Sequence, residues 1–334
     1  MSRKLLSYTA LGLILGNAAI ADVPKVAVDI APVHSLVSRV MEGVGSPKLI
    51  IPAGASPHEY SLRPSEAKSL QDADMVIWMG EDLAPWMENS IEKLAKNAEV
   101  ITLLEASETK LLDFREGALF EEHDHGDHDD HDDHDDHDKD HDDHDDHDDH
   151  DDHDDHDDHA GHDHGEHDPH AWLSIENAQT WLNLVAGKLS AADPENAGVY
   201  FGNAAAARSE IEELSKEVNS ILDPVRGRSF VVFHDAYQYF ETSFDFPASG
   251  AISLGDATDP SASRIAEIQG RVREEGINCV LSEPQYNPNL VETVLEGTDA
   301  KTGVIDPLGV NLEPGSKLYG DLIRNMAKSL AGCL

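Results

Sequence analysis

The sequence predicts an α/β protein built as two lobes, each a parallel sheet with crossover helices, joined by one long helix. Three observations carry that expectation. Short apolar runs rich in β-branched residues alternate with helix-period segments before residue 104 and again after residue 229. The helical segment from Pro194 to Leu222 separates the two blocks. From Glu121 to Asp168 the chain is almost nothing but histidine and aspartate, a stretch that cannot contribute to a core.

In the first block, Lys25 to Ile30 reads as a strand, and His34 to Met41 as a helix with Leu36, Val37 and Val40 on one face. Lys48 to Ile51 is a second strand, stopped by Pro52 and Gly54, and the loop beyond it holds Ser56, Pro57, His58, Glu59 and Tyr60. A helix over Pro64 to Gln71 has proline at its start. The strand Met75 to Met79, a helix from Trp86 to Leu94 and the strand Val100 to Leu103 complete the alternation. Parallel sheets place ligand sites at the carboxyl ends of their strands, which is where the His58 loop falls.

After Trp172 the pattern is helical, first over Ile175 to Leu189 and then over Pro194 to Leu222. Ile211, Leu214, Val218 and Ile221 recur at three- and four-residue steps. At 1.5 Å per residue such a helix reaches roughly 40 Å, about the span of a domain, and it reads as a connector. The second block then repeats the first. Ser229 to Phe233 is a buried strand delivering His234 and Asp235, followed by a helix over Ala236 to Phe240 and the strand Ala251 to Ser253. Helices over Pro260 to Glu275, Pro288 to Leu295 and Ser316 to Leu330 enclose the strands Cys279 to Leu281 and Gly303 to Ile305, with Asp306 and Pro307 at the end of the last.

The expected organisation is a signal peptide over 1–21, an amino-terminal lobe over 22–193 containing a disordered His/Asp loop at 121–168, a connecting helix over 194–223 and a carboxy-terminal lobe over 224–334. The leader rests on Arg3 and Lys4, the apolar run Leu11 to Leu15, and the small residues Ala19 and Ala21 before Asp22. Its apolar part falls short of the ~20 residues a spanning helix needs.

The formal net charge is -42, and the tract alone supplies 27 acids against one lysine. Nucleic acid and anionic membrane surfaces are poor partners for such a chain, whereas a cation suits it. Two cysteines, Cys279 and Cys333, in an exported chain suggest one disulfide. A pair of thiolate metal ligands is the competing reading, without Cys-x-x-Cys spacing in its favour.

His58, His170, His234 and Asp306 each sit at a strand end or beside a proline. Three neutral imidazoles with a carboxylate or water suit zinc, while calcium and magnesium want more oxygens. Taken singly, each histidine also reads as a capping residue or as a partner of some other ligand. Glu59 is either an oxygen ligand or an orienting neighbour. His34, on a helix, reads as packing, as do Trp172, Tyr60 and Tyr237. Glu283 reads as structural or as a hydrogen-bond partner of a ligand.

The segments Ser56-Pro57-His58-Glu59-Tyr60, Asp168-Pro169-His170-Ala171-Trp172, Phe233-His234-Asp235-Ala236-Tyr237 and Ile305-Asp306-Pro307-Leu308-Gly309 resemble the four ligand segments of the metal-binding cluster (A-I) of periplasmic substrate-binding proteins. Within that family the chain is most similar to the zinc-uptake branch. The resemblance implies a rigid linking helix, a metal site in the cleft and delivery of the ion to an ABC permease of the inner membrane. It also implies that His58 and His170 are amino-lobe ligands, that His234 and Asp306 are carboxy-lobe ligands, and that Glu59 or water are alternatives to Asp306. Histidine at position 234, where manganese-binding relatives tend to have glutamate, favours zinc. The resemblance further implies a Cys279–Cys333 disulfide, a monomer, and an auxiliary periplasmic zinc chaperone as a further partner.

The tract's charge repels itself, and its three-residue repeat cannot keep histidine on one helical face, so disorder is expected. Its sixteen histidines make it an accessory scavenger, a sensor of abundant zinc, or a solvated spacer. A secreted zinc hydrolase and a metal-binding adhesin are the competing functions. The sequence shows no HExxH helix, no nucleophile elbow and no glutamate in a clear general-base setting, so no enzyme activity is expected.

Overall fold

The computed structural model describes residues 23–115, 120, 167–253, 261–286 and 288–334. The expected leader (1–21) and the tract up to residue 166 lie outside the described residues.

The amino-terminal sheet holds β1 (Val26–Val28), β2 (Lys48–Leu49), β3 (Met75–Trp78) and β4 (Glu99–Thr102) in the order β2-β1-β3-β4, every pair parallel. Parallel neighbours need crossovers, which α1 (Ala31–Val40), α2 (Pro64–Gln71) and α3 (Pro85–Leu94) supply, each with proline in its first turn. Then come α4 (Ile175–Ala192) and the 26-residue α5 (Ala197–Leu222). The expected helix from Pro194 starts three residues late, because Pro194–Asn196 forms a 3-10 turn in which Asn196 Nδ2 donates to Asp193 Oδ2 at 2.7 Å. Tyr200, Ala204, Ala207, Ile211, Leu214, Val218 and Leu222 make its buried face. Ile221, expected on that face, is only half-buried.

The second sheet repeats the plan. It contains β5 (Phe230–His234), β6 (Ala251–Ser253), β7 (Cys279–Ser282) and β8 (Lys301–Val304) in the order β6-β5-β7-β8, again all parallel. Its helices are α6 (Gln238–Phe244), α7 (Ala262–Glu274), α8 (Pro288–Leu295) and α9 (Leu318–Cys333). Among the described residues, no helix is long and apolar enough to cross a membrane.

Strand alternation divides the carboxy-terminal core. Phe230, Val232, Cys279 and Leu281 join the large core that runs through both lobes, whereas Val231, Phe233 and Val280 face a smaller cluster with Ile268, Val272 and Val294. By the same period of two, His234 emerges on the side facing the other lobe. That parity sets the position of the site.

α9 crosses back from β8 to pack on α1 and α5, so the last helix of the chain braces both lobes. Its Cys333 is bonded to Cys279 with Cα atoms 5.7 Å apart, and no described cysteine is free to serve as a thiolate ligand.

Candidate metal centre

His58 comes from the loop between β2 and α2, His170 from the turn before the 3-10 segment Ala171–Leu173, and His234 from the last position of β5. Each of these histidines offers a ring nitrogen, and the three nitrogens lie within 4.8 Å of one another. The Nε2 atoms of His170 and His234 are 3.3 Å apart. Two nitrogens on one tetrahedral zinc at 2.0–2.1 Å would stand about 3.3 Å apart, so this pair already has the required span. The three rings, with Trp172, Glu283 and Tyr286, line a cavity of about 10 Å³. That is room for about one water-sized atom.

Two carboxylates aim the buried imidazoles. Asp168 Oδ1 lies 2.7 Å from His170 Nδ1 and also accepts the His170 backbone N–H at 2.9 Å. Glu283 Oε1 lies 2.7 Å from His234 Nδ1. A carboxylate that accepts from Nδ1–H leaves Nε2 as the ring atom with a lone pair to offer, and the two Nε2 atoms face each other. In that tautomer both nitrogens suit a cation placed between the rings. β5 and β7 are adjacent strands on either side of the point where the strand order reverses, where open parallel sheets form their crevice.

His58 is half-exposed, and its loop is held by Trp86 Nε1 donating to Pro57 O at 2.8 Å. Neither proposed fourth ligand belongs to the three-histidine group. Glu59 is exposed. Asp306 builds its own turn: Oδ1 accepts the N–H of Leu308 at 3.0 Å and of Gly309 at 2.9 Å, and Oδ2 that of Val310 at 2.7 Å. Gly309 has φ 79°, a left-handed conformation that favours glycine in such a turn.

His34 stands apart, its Nε2 3.2 Å from Pro47 O and its pKa lowered by burial. Tyr237 packs beside the His234 ring, and burial pushes its hydroxyl pKa well up. Neither the aiming role of Asp168 nor any role for Arg115 is legible in the sequence. The guanidinium of Arg115 lies between Asp235 and Glu241, both buried. An acid directly after His234 was the available signal, but its partner lies 120 residues away.

The profile of a family described as "Zinc-uptake complex component A periplasmic" (ZnuA) matches residues 26–333. The chain is 47% identical over 332 residues to the high-affinity zinc uptake system protein ZnuA of Paracoccus denitrificans, covering 98% of each chain. It is 35% identical to the protein of that description from Haemophilus influenzae, covering 99% of each. Among solved structures, a crystal structure of ZnuA superposes with a TM-score of 0.71 at 19% identity, over 93% of this chain and 99% of that one. A laminin-binding adhesin (Lmb) of Streptococcus agalactiae gives 0.69 at 21%, over 93% and 99%. Both structural likenesses are of fold.

Proposed function

The chain belongs to the periplasmic zinc-uptake component (ZnuA) family, and we propose that it captures Zn²⁺ in the periplasm and delivers it to the inner-membrane permease of a zinc ABC importer. The observation that supports this reading is the convergence of His58, His170 and His234, drawn from both sides of the cleft, on one point. Three imidazole nitrogens suit zinc better than the harder divalent ions. The fourth ligand is Asp306, Glu59 or water, alternatives that the Asp306→Ala and Glu59→Ala variants separate. Zinc is the cargo, so the site needs enclosure and reversible opening and no general base. A metal-dependent hydrolysis assay showing turnover would overturn the carrier in favour of a hydrolase. The adhesin alternative draws only on likeness of fold.

In this reading residues 22–193 and 224–334 form the two lobes, 194–223 connects them, and 1–21 exports the chain and is removed. The protein works as a monomer, and an auxiliary periplasmic zinc chaperone is a further partner. The tract acts as an accessory to the site, as a scavenger or a sensor.

Calorimetry on protein lacking residues 121–166 tests site and tract together. One tight zinc ion is expected to remain after the deletion, with fewer ions bound in total, and the tight ion is lost when His234→Ala is added. Retention of tight binding in the doubly altered protein would place the site elsewhere. An unchanged number of ions after the deletion would leave the tract as a spacer.

A further inference from the structure

The stretch 234–241 carries one proposed ligand and grips the support of another. His234 opens it. Tyr239 Oη, on α6, donates to Asp168 O at 2.9 Å and accepts the Leu112 N–H at 2.9 Å, while the Asp168 N–H donates to Leu112 O at 2.8 Å. The Gln238 amide, oriented to satisfy its neighbours, donates to Asp168 Oδ2 and to Asp113 O, each at 3.1 Å. Asp168 is the carboxylate that aims His170. The segment that bears His234 therefore also grips the carboxylate that aims His170, although the two imidazoles come from different lobes.

Arg115 closes this unit. Its Nε donates to Asp235 Oδ2 at 3.0 Å, its Nη1 to Glu241 Oε2 at 2.7 Å and its Nη2 to Glu241 Oε1 at 3.0 Å, and Nη2 also meets Asp235 Oδ1. The Phe120 ring lies 3.5 Å from the guanidinium carbon. Both carboxylates are 6% exposed at the side chain. A bidentate guanidinium shielded from water fixes direction as well as distance, so the strand end bearing His234 is clamped to the segment that holds Asp168. The His58 loop is tied differently. A neutral bond ties it to the opposite lobe, Gln285 Nε2 to Ala53 O at 3.3 Å, and Pro52, Ala53, Ser56 and His58 are only partly buried, with Pro57 buried between them.

We infer that Arg115 is a positioning residue for zinc: it holds His170 and His234 as a pair fixed across the cleft. This rests on the three-histidine reading above. Lobe opening that separated His170 from His234 would have to break the Arg115 ion pairs and the Tyr239 bridge together. Displacing residues 52–60 breaks neither.

The test compares zinc release to a chelator by stopped flow for wild type, Arg115→Gln and Arg115→Lys, all full length. Partners that orient a ligand typically change metal affinity by 10- to 100-fold, so release from Arg115→Gln is expected to be about tenfold faster or more, with Arg115→Lys closer to wild type. The Co²⁺ absorption spectrum of Arg115→Gln should shift as well, which a purely structural role would not require. Amide hydrogen exchange on the wild type needs no variant and decides the matter if Arg115→Gln fails to fold. Zinc removal is expected to raise exchange at 52–60 and leave 168–173 and 234–241 unchanged. Equal increases in all three stretches, or wild-type release from a folded Arg115→Gln, would overturn the inference. Tight zinc binding by His234→Ala would instead overturn the site itself.

Discussion

Asp168 and Glu283 give the buried imidazoles their direction and tautomer, which makes them as informative as the rings. Glu283→Gln keeps the shape and removes the charge that favours a proton on His234 Nδ1. A 10- to 100-fold loss of zinc affinity is expected, read by competition with a fluorescent chelator; wild-type affinity would mean that His234 is oriented by its strand alone. Asp29 makes a different prediction. It is fully buried, and desolvation raises its pKa to about 7, against the pull of the Met79 and Ile30 backbone N–H groups. Between pH about 4 and 7 the folded state therefore holds a proton that the unfolded state has released, so Asp29 favours folding at the low end and this contribution is lost as pH rises. Each pH unit is worth up to about 1.4 kcal/mol. Chemical denaturation of Asp29→Asn against wild type should show the variant gaining relative stability across that range, and parallel curves would assign Asp29 an ordinary pKa. His58, His170 and His234 were legible in the sequence because proline or a strand end marks each. The role of Glu283 stays open at that level because its partner is 49 residues away.

At the scale of elements, most strands and helices fall within one to three residues of the expected positions, since hydrophobic period and proline mark them locally. α6 departs furthest, at its end, running to Phe244 and not to Phe240; it begins at Gln238 and not at Ala236 because the Ala236 N–H turns back to His234 O at 2.9 Å and Asp235 is engaged by Arg115. The disulfide joins β7 to α9 across 54 residues. Chain entropy for such a loop amounts to roughly 4 kcal/mol, and Cys333→Ser should lower unfolding free energy by about 2–4 kcal/mol in denaturant titration. Reduced wild type should match the variant. Gly303 on β8 leaves room beside this bond, because a Cβ there would stand 3.0 Å from Leu281 Cδ2 and 3.1 Å from Cys333 Cβ. Gly303→Ala is therefore expected to destabilise the oxidised protein, whereas Gly187→Ala, with open space around it, is not.

For the whole molecule, the decisive fact is that one core runs through both lobes. α9 rests on α1 and α5, Tyr319 N donates to Ser35 Oγ at 2.9 Å, and Trp172 Nε1 donates to Pro307 O at 2.9 Å. Outside the core, Arg39 pairs with Glu210 and Arg324 with Glu217, so α5 is bonded to helices from both lobes. A hinge would have to open this packing. Small-angle scattering of zinc-free and zinc-loaded protein lacking residues 121–166 should accordingly give the same radius of gyration within error, and a clear contraction on loading would contradict the rigid link. The two parallel sheets, the long helix and the candidate histidines are legible in the chain alone, because hydrophobic period, proline and residue chemistry are local properties. Only the folded chain shows that those three histidines meet, that Asp306 accepts the backbone N–H groups of its own turn, and that Arg115 binds Asp235 and Glu241. Those are distances between residues far apart in sequence, and only the closing of the core fixes them.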